Sequence, residues 1–182
     1  MLEGLMQDDF QLTLHHALHR MRSVHPSAEV VTLTDRGAVR ASYGEVCERV
    51  DRLARALSEL GVKQGDRVGT FAWNNQRHLE LYMAVPCVGA VLHTLNIRLF
   101  AEQLTYIVNH AQDSVIFVDR SLVPVLQELA PTFSGVRHYV VMGDGGAHSS
   151  EDGVSGDGGA RAHSPKDWVP QDWVPEDWVP EG

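Results

Sequence analysis

The sequence lacks any long run of apolar residues. No segment approaches the roughly 18 uninterrupted apolar residues of a membrane-spanning helix, so no membrane span is expected. The N-terminus also lacks the positive charge of a signal peptide, because Glu3, Asp8 and Asp9 stand where a signal peptide is basic. The cytoplasm is therefore the expected location.

Cysteine is scarce. The chain has 182 residues and 2 cysteines, Cys47 and Cys87, and both fall inside predicted helices. A free cysteine behaves as a small hydrophobic residue, so we expect both to be reduced and packed. No disulfide framework is predicted.

The sequence has no excess of positive charge. Its net charge is −9, and residues 143–182 hold nine acidic and only two basic side chains. Residues 1–142 are consequently close to neutral. Nucleic-acid binding requires a basic face, so no nucleic-acid partner is expected.

A hydrophobic fraction of 43% and a charged fraction of 21% are ordinary for a globular protein. Residue periodicity predicts helices at 10–22, 43–60, 76–88, 101–110 and 122–129, and strands at 29–34, 38–41, 67–73, 90–94, 114–118 and 136–142. Strand and helix alternate from residue 67 onwards, which favours βαβ units. The predicted fold class is α/β, with a largely parallel sheet flanked by helices.

Three helix signals are specific. Ser42 with Glu45 three residues later forms a capping-box pattern, and Gly61 is placed to end the same helix. Asn74 or Asn75 is placed to cap the next helix. Pro86 lies inside that helix and predicts a kink or an early end.

Residues 143–182 form an acidic, low-complexity segment. A Gly-Asp-Gly-Gly run occurs twice, and Asp-Trp-Val-Pro occurs three times, at 167–170, 172–175 and 177–180. A period of five fits neither a helix nor a strand, and each proline lacks an amide donor. We expect a disordered tail with local extended character after a body of residues 1–142.

Several runs in the body resemble a known family in their order and spacing. They are Ala41-Ser42-Tyr43-Gly44-Glu45-Val46, Leu60-Gly61-Val62, Gly65-Asp66-Arg67-Val68, and the run from Gly89 to Leu99. Residues 10–142 thus resemble the N-terminal subdomain of the adenylate-forming (AMP-binding) acyl-CoA synthetases. The last run is similar to a motif of the medium- and long-chain fatty-acid–CoA ligases.

The resemblance implies a two-step reaction. Such a ligase joins a fatty acid to AMP with release of pyrophosphate, and then transfers the acyl group to coenzyme A. ATP, Mg²⁺ and CoA are the implied cofactors, with Mg²⁺ neutralising phosphate charge.

The family's ATP-binding loop, roughly Thr-Ser-Gly-Thr-Thr-Gly-x-Pro-Lys, does not occur in the sequence. The Gly-Asp-Gly-Gly runs are no substitute, because they lack the lysine and hydroxyl residues and lie in an acidic segment. This chain is therefore expected to bind none of these cofactors and to be inactive alone, as a truncated ligase. No catalytic residue is assigned, and no metal site is expected.

The substrate-binding candidates lie at the carboxyl ends of predicted strands or just beyond them, where α/β folds place ligands. Trp73 and Asn74 could face substrate, or could be a core side chain and a helix cap. The resemblance places His93, Thr94, Asn96 and Arg98 beside an acyl tunnel. The alternative is that Asn96 and Arg98 hold the loop and pair with a carboxylate.

Other polar groups have simpler explanations. His15, His16 and His19 suggest a metal cluster, but no carboxylate stands at a fitting offset, so surface histidines are expected. Glu45 and Glu80 could form an acid–base pair, but a helix cap and a solvated face explain them with fewer assumptions.

Two further functions remain open. The chain could be one part of a split ligase, completed by the remainder of the enzyme on another chain, and a second copy is a further possible partner. Alternatively, it could be a non-catalytic interaction protein that docks partners through its tryptophan- and proline-containing tail.

Overall fold

The computed structural model describes residues 11–34, 37–143 and the pair Trp168–Val169. It divides into two compact units, one of residues 1–65 with 74–92, and one of residues 66–73 with 93–182. The remaining residues of the tail, including the other repeats for which disorder was predicted, lie outside the described part.

The first unit contains three helices and a hairpin. The helices are α1 (Leu14–Ser23), α2 (Tyr43–Glu59) and α3 (Gln76–Cys87), and the strands are β1 (Glu29–Thr34) and β2 (Gly37–Ser42). The two strands pair antiparallel, from Glu29 opposite Ser42 to Thr34 opposite Gly37, and both predicted strands are thereby confirmed. Helix α2 packs against both other helices.

The predicted cap of α2 is present. The Ser42 hydroxyl accepts from the Glu45 backbone N–H at 3.2 Å, and the Glu45 carboxylate accepts from the Ser42 N–H at 2.7 Å. The Ser42 backbone N–H and hydroxyl both donate to the Glu45 carboxylate, and these two hydrogen bonds lower the pKa of Glu45. Gly61 follows the helix with a φ of 76°, a conformation that glycine adopts without strain.

Two ion pairs connect helices of this unit. Arg49 Nε lies 2.7 Å from Glu80 Oε1, joining α2 to α3, and the Glu80 side chain is only 6% exposed. Gln76 Nε2 donates to the same oxygen at 2.7 Å. Arg22 and Asp51 join α1 to α2 at 2.8 Å, with both side chains about half exposed.

The second unit contains the larger sheet. Its strands are β3 (Arg67–Phe71), β4 (Val91–Thr94), which begins in the first unit, β5 (Asp113–Asp119), β6 (His138–Met142) and β7 (Trp168–Val169). Their order is β4-β3-β5-β6-β7. Strand β5 pairs in parallel with β3 and β6, as predicted, and all seven of its residues are buried, so it is the central strand.

Helices α4 (Ala101–Ala111) and α5 (Val123–Leu129) complete this unit. Their buried residues pack with β3, β5 and β6 in one apolar core, formed by Phe71, Leu95, Leu104, Val108, Ile116, Val118, Leu126, Leu129, Ala130, Phe133 and Tyr139. The alternating α/β architecture predicted from the sequence is therefore confirmed.

The main differences concern element ends. Helix α1 begins at Leu14, not at residue 10, because Thr13 is extended and no side chain caps the helix earlier among the described residues. Strand β6 begins at His138, two residues later than predicted. Helix α3 ends at Cys87, directly after Pro86, in line with the predicted early end. Within the described ranges, no helix is long and apolar enough to cross a membrane.

Candidate substrate-binding site

Trp73 lies just beyond the carboxyl end of β3 and is held by two hydrogen bonds. Its backbone N–H donates to Asp119 Oδ2 at 2.5 Å, and its indole N–H donates to Ser121 Oγ at 3.1 Å. Asp119 is the last residue of β5 and is 7% exposed, whereas Trp73 is 50% exposed. The indole is therefore fixed at its polar edge while half of its surface faces solvent.

Asp119 and Ser121 were not among the predicted site residues. The signal that could have found them is topological, because the carboxyl ends of neighbouring parallel strands meet at one edge of the sheet. Asp119 ends the central strand next to β3. An acidic residue at that position was a reasonable partner for Trp73.

Asn74 is exposed and belongs to the first unit. It does not cap α3. That role falls to Asn75, whose Oδ1 accepts from the His78 backbone N–H at 3.0 Å. Of the two asparagines proposed as the cap, Asn74 is thus the one that the helix does not use.

His93 forms a pair with a buried carboxylate. Its Nδ1 lies 2.8 and 2.9 Å from the two oxygens of Asp113, whose side chain is fully buried. Burial raises the pKa of Asp113 above its ordinary value, and the hydrogen bond with His93 opposes the rise.

Gly69 of β3 makes room for this buried carboxylate. A Cβ atom on Gly69 would stand 3.3 Å from Asp113 Oδ2 and 3.1 Å from Ile116 Cγ1. A larger residue at this position would therefore crowd both side chains and push them away by a few tenths of an ångström.

The loop after β4 is held by Asn96. Its Oδ1 accepts from the Arg98 backbone N–H at 3.0 Å, and its carbonyl accepts from the Leu99 N–H at 3.2 Å. Thr94, Asn96 and Arg98 are all exposed. The ion pairs among the described residues do not include Arg98, so the predicted pairing with a carboxylate is not seen there.

The structure does not bring all the candidates together. Trp73 contacts Asp119 at the last position of β5, whereas His93 contacts Asp113 at the first position. A strand rises about 3.3 Å per residue, so these two contacts are roughly 20 Å apart. The sheet edge beside Trp73 and the His93–Asp113 pair are consequently separate features.

The remaining candidates agree with their simpler explanations. His15, His16 and His19 are exposed on α1, and Glu45 caps α2. Glu80 is an exception, because it is buried in an ion pair with Arg49 and does not lie on a solvated face. Cys47 is buried, Cys87 is half-buried, and both are free thiols.

The described residues do not fit a site for Mg²⁺ and a triphosphate. Among them, no group of three histidine, cysteine or acidic side chains could hold a metal ion. The sequence also contains no Ser-Gly-Thr-Thr-Gly run.

A parallel sheet flanked by helices, with polar groups at its carboxyl edge, defines an α/β protein. Two solved structures that share this fold are CoA ligases. A long-chain-fatty-acid CoA ligase of Rhodopseudomonas palustris is 28% identical, with a TM-score of 0.64 over 75% of this chain and 34% of that one. An anthranilate CoA ligase shares the fold at 17% identity, with a TM-score of 0.70 over 93% of this chain and 29% of that one.

The family model described as "AMP-binding enzyme" matches residues 19–177. The match spans most of the chain, and the chain belongs to this family. It agrees with the resemblance drawn from the motifs between Ala41 and Leu99.

Curated relatives carry related names. A 3-methylmercaptopropionyl-CoA ligase of Ruegeria lacuscaerulensis is 45% identical over 65% of this chain and 22% of the ligase. A medium-chain-fatty-acid–CoA ligase of Ectopseudomonas oleovorans is 38% identical over 82% and 27%. A long-chain-fatty-acid–CoA ligase of Thermus thermophilus is 44% identical over 74% and 25%. The chain thus spans about a quarter of the length of these relatives.

Proposed function

We propose that this chain forms the first part of a ligase that joins a fatty acid to coenzyme A at the expense of ATP. The observation that carries the proposal is the 38–45% identity to three ligases whose names all describe acyl-CoA formation. Those three names share a monocarboxylic acid substrate with an apolar chain, so we assign the same substrate class here.

We further propose that the 182-residue chain does not perform this reaction alone. Adenylation requires donors that hold the triphosphate, and the sequence has no run of the family's loop type. The chain would instead need the remainder of the ligase, whether continuous with it or supplied as a second polypeptide.

Within this function, we assign Trp73 and Asn74 to contact with substrate at the carboxyl edge of the sheet. Two hydrogen bonds fix Trp73 and leave an exposed ring face, which suits an apolar acyl chain. His93, Thr94, Asn96 and Arg98 would shape the acyl site indirectly, because Asn96 holds the loop and His93 is anchored on buried Asp113.

The test is fatty-acid-dependent exchange of pyrophosphate into ATP. The chain is assayed alone and mixed with the complementary C-terminal part of the Ectopseudomonas oleovorans ligase, using medium-chain, long-chain and 3-methylmercaptopropionate substrates. We expect no exchange with either part alone and exchange with the mixture. Exchange by this chain alone would contradict the proposed dependence, and a correctly assembled mixture without exchange on any acid would contradict the proposed function.

Two variants address the site in the active mixture. Trp73→Ala should raise the KM for the fatty acid, whereas Trp73→Phe retains a flat apolar ring and should change it less. Ser121→Ala is the matched control, because it removes the indole hydrogen bond but leaves the ring surface. Equal KM values for Trp73→Ala and the unchanged chain would refute the assignment.

A further inference from the structure

The sheet of the second unit ends in a strand from the tail. Trp168–Val169 pairs in parallel with β6, with Tyr139 opposite Trp168 and Val140 opposite Val169. Without this strand, the side of β6 away from β5 would be a sheet edge with unpaired backbone N–H and C=O groups. We call this side the β6 edge.

The Asp-Trp-Val-Pro sequence suits a strand of two residues. Tryptophan and valine are both favoured in strands. Proline follows at position 170, and proline has no backbone N–H to continue a ladder. The observed strand ends at Val169, directly before that proline.

The same four residues occur again at 172–175 and 177–180. Strand pairing is made by backbone hydrogen bonds, so it depends more on an extended chain conformation than on the identity of the side chains. In these three repeats the side chains are also identical. We propose that the three repeats are interchangeable ligands of the β6 edge, so that each Trp-Val pair can take the place of Trp168–Val169.

The connecting chain permits each alternative. Met142 is separated from Trp168 by 25 residues, and from the second and third tryptophans by 30 and 35. A parallel connection requires about a dozen residues, so all three are long enough. Loop closure scales as the −3/2 power of length, which gives the second and third repeats about three quarters and three fifths of the occupancy of the first.

The tail would thus cover a sheet edge of its own chain. Three copies raise the fraction of time for which the β6 edge is covered, as linked binding segments do. An edge covered in this way is less available to extended segments of other chains.

Amide hydrogen–deuterium exchange, followed by NMR on the full chain, tests this at those residues of 138–142 whose N–H points away from β5. Replacing Trp168 and Val169 by proline should lower their protection by only about twofold, because two repeats remain. Replacing all three Trp-Val pairs by proline should lower it at least tenfold. Protection of β5 residues 113–119 serves as the internal folding control.

A matched control replaces Asp167, Asp172 and Asp177 by asparagine, which keeps every Trp-Val pair and should keep full protection. The proposal is overturned if the variant lacking all three pairs stays protected, or if the first replacement alone abolishes protection. Protection that rises with protein concentration would also overturn it, because a second copy would then cover the edge.

A measurement on the unmodified chain tests the proposal even where a variant fails to fold. Backbone chemical shifts of all three Trp-Val pairs should deviate from random-coil values towards strand values. The deviation should be largest for the first pair and smallest for the third. Strand-like shifts at Trp168–Val169 alone would refute interchange.

Discussion

The Arg49–Glu80 pair offers a quantitative test of what holds α2 against α3. Glu80 is 6% exposed and Arg49 is 23% exposed, and their hydrogen bond is 2.7 Å long. Removing one partner of a buried ion pair destabilises by about 3–5 kcal/mol, because the other charge is left without compensation. Gln76 still donates to the same oxygen, and Arg49 is partly solvated, so we expect Arg49→Ala to lower the free energy of unfolding by about 2–3 kcal/mol.

Three variants separate charge from packing. Glu80→Gln keeps a neutral acceptor for Arg49 and should be destabilising by about 1 kcal/mol. The double variant Arg49→Met with Glu80→Leu removes both charges and should return to within about 1 kcal/mol of the unchanged chain. Asp51 lies on α2, as Arg49 does. Asp51→Asn breaks its half-exposed ion pair with Arg22 of α1 and should change stability by less than about 1 kcal/mol.

The assay is urea unfolding followed by far-ultraviolet circular dichroism, with the slope of each transition compared between variants. A loss below about 0.5 kcal/mol for Arg49→Ala, equal to that for Asp51→Asn, would refute the reasoning. It would mean that water reaches Glu80 in the folded state and that the two pairs are equivalent.

Three further predictions concern single side chains. Burial raises the pKa of Tyr139 to about 12, above its unfolded value. The stability that this tyrosine contributes below about pH 10 should therefore be lost as the pH rises towards 12, by about 2–3 kcal/mol. Tyr139→Phe should remove this part of an alkaline unfolding curve. Gly69→Ala should be destabilising by about 1–3 kcal/mol in urea because its Cβ would crowd β5, whereas Gly135→Ala, with no atom nearer than 3.6 Å, should change stability little. Burial raises the pKa of the Cys47 and Cys87 thiols, so both should react slowly with a disulfide reagent at pH 8; Cys47, which is 1% exposed, should react only as fast as its unit opens, and a faster reaction of Cys47 would contradict its burial.

Local signals in the sequence predicted local structure well. The Ser42–Glu45 box and Gly61 fix both ends of α2 through contacts three or four residues apart, and such contacts are visible in sequence. A strand at 114–118 was predicted from its apolar, β-branched residues, but its central and fully buried position in the sheet was not.

The contacts of the candidate site are long-range, and sequence spacing did not reveal them. Trp73 and Asp119 are 46 residues apart, and His93 and Asp113 are 20 apart. Only strand order and register bring these pairs together. The burial of Glu80 was missed for the same reason, because Arg49, its partner, lies 31 residues earlier on another helix.

The division of the chain into interleaved units has a consequence for synthesis. Residues 66–73 belong to the second unit but are made before residues 74–92 complete the first. Strand β3 ends at Phe71, and its neighbour β5 begins at Asp113. At about 5–20 residues per second, β3 waits roughly 2–8 s on the ribosome before that neighbour exists. Strand β4 is made earlier and pairs with the other side of β3, so the nascent chain carries β3 with one unpaired edge during this interval, which is when we expect a chaperone to bind it.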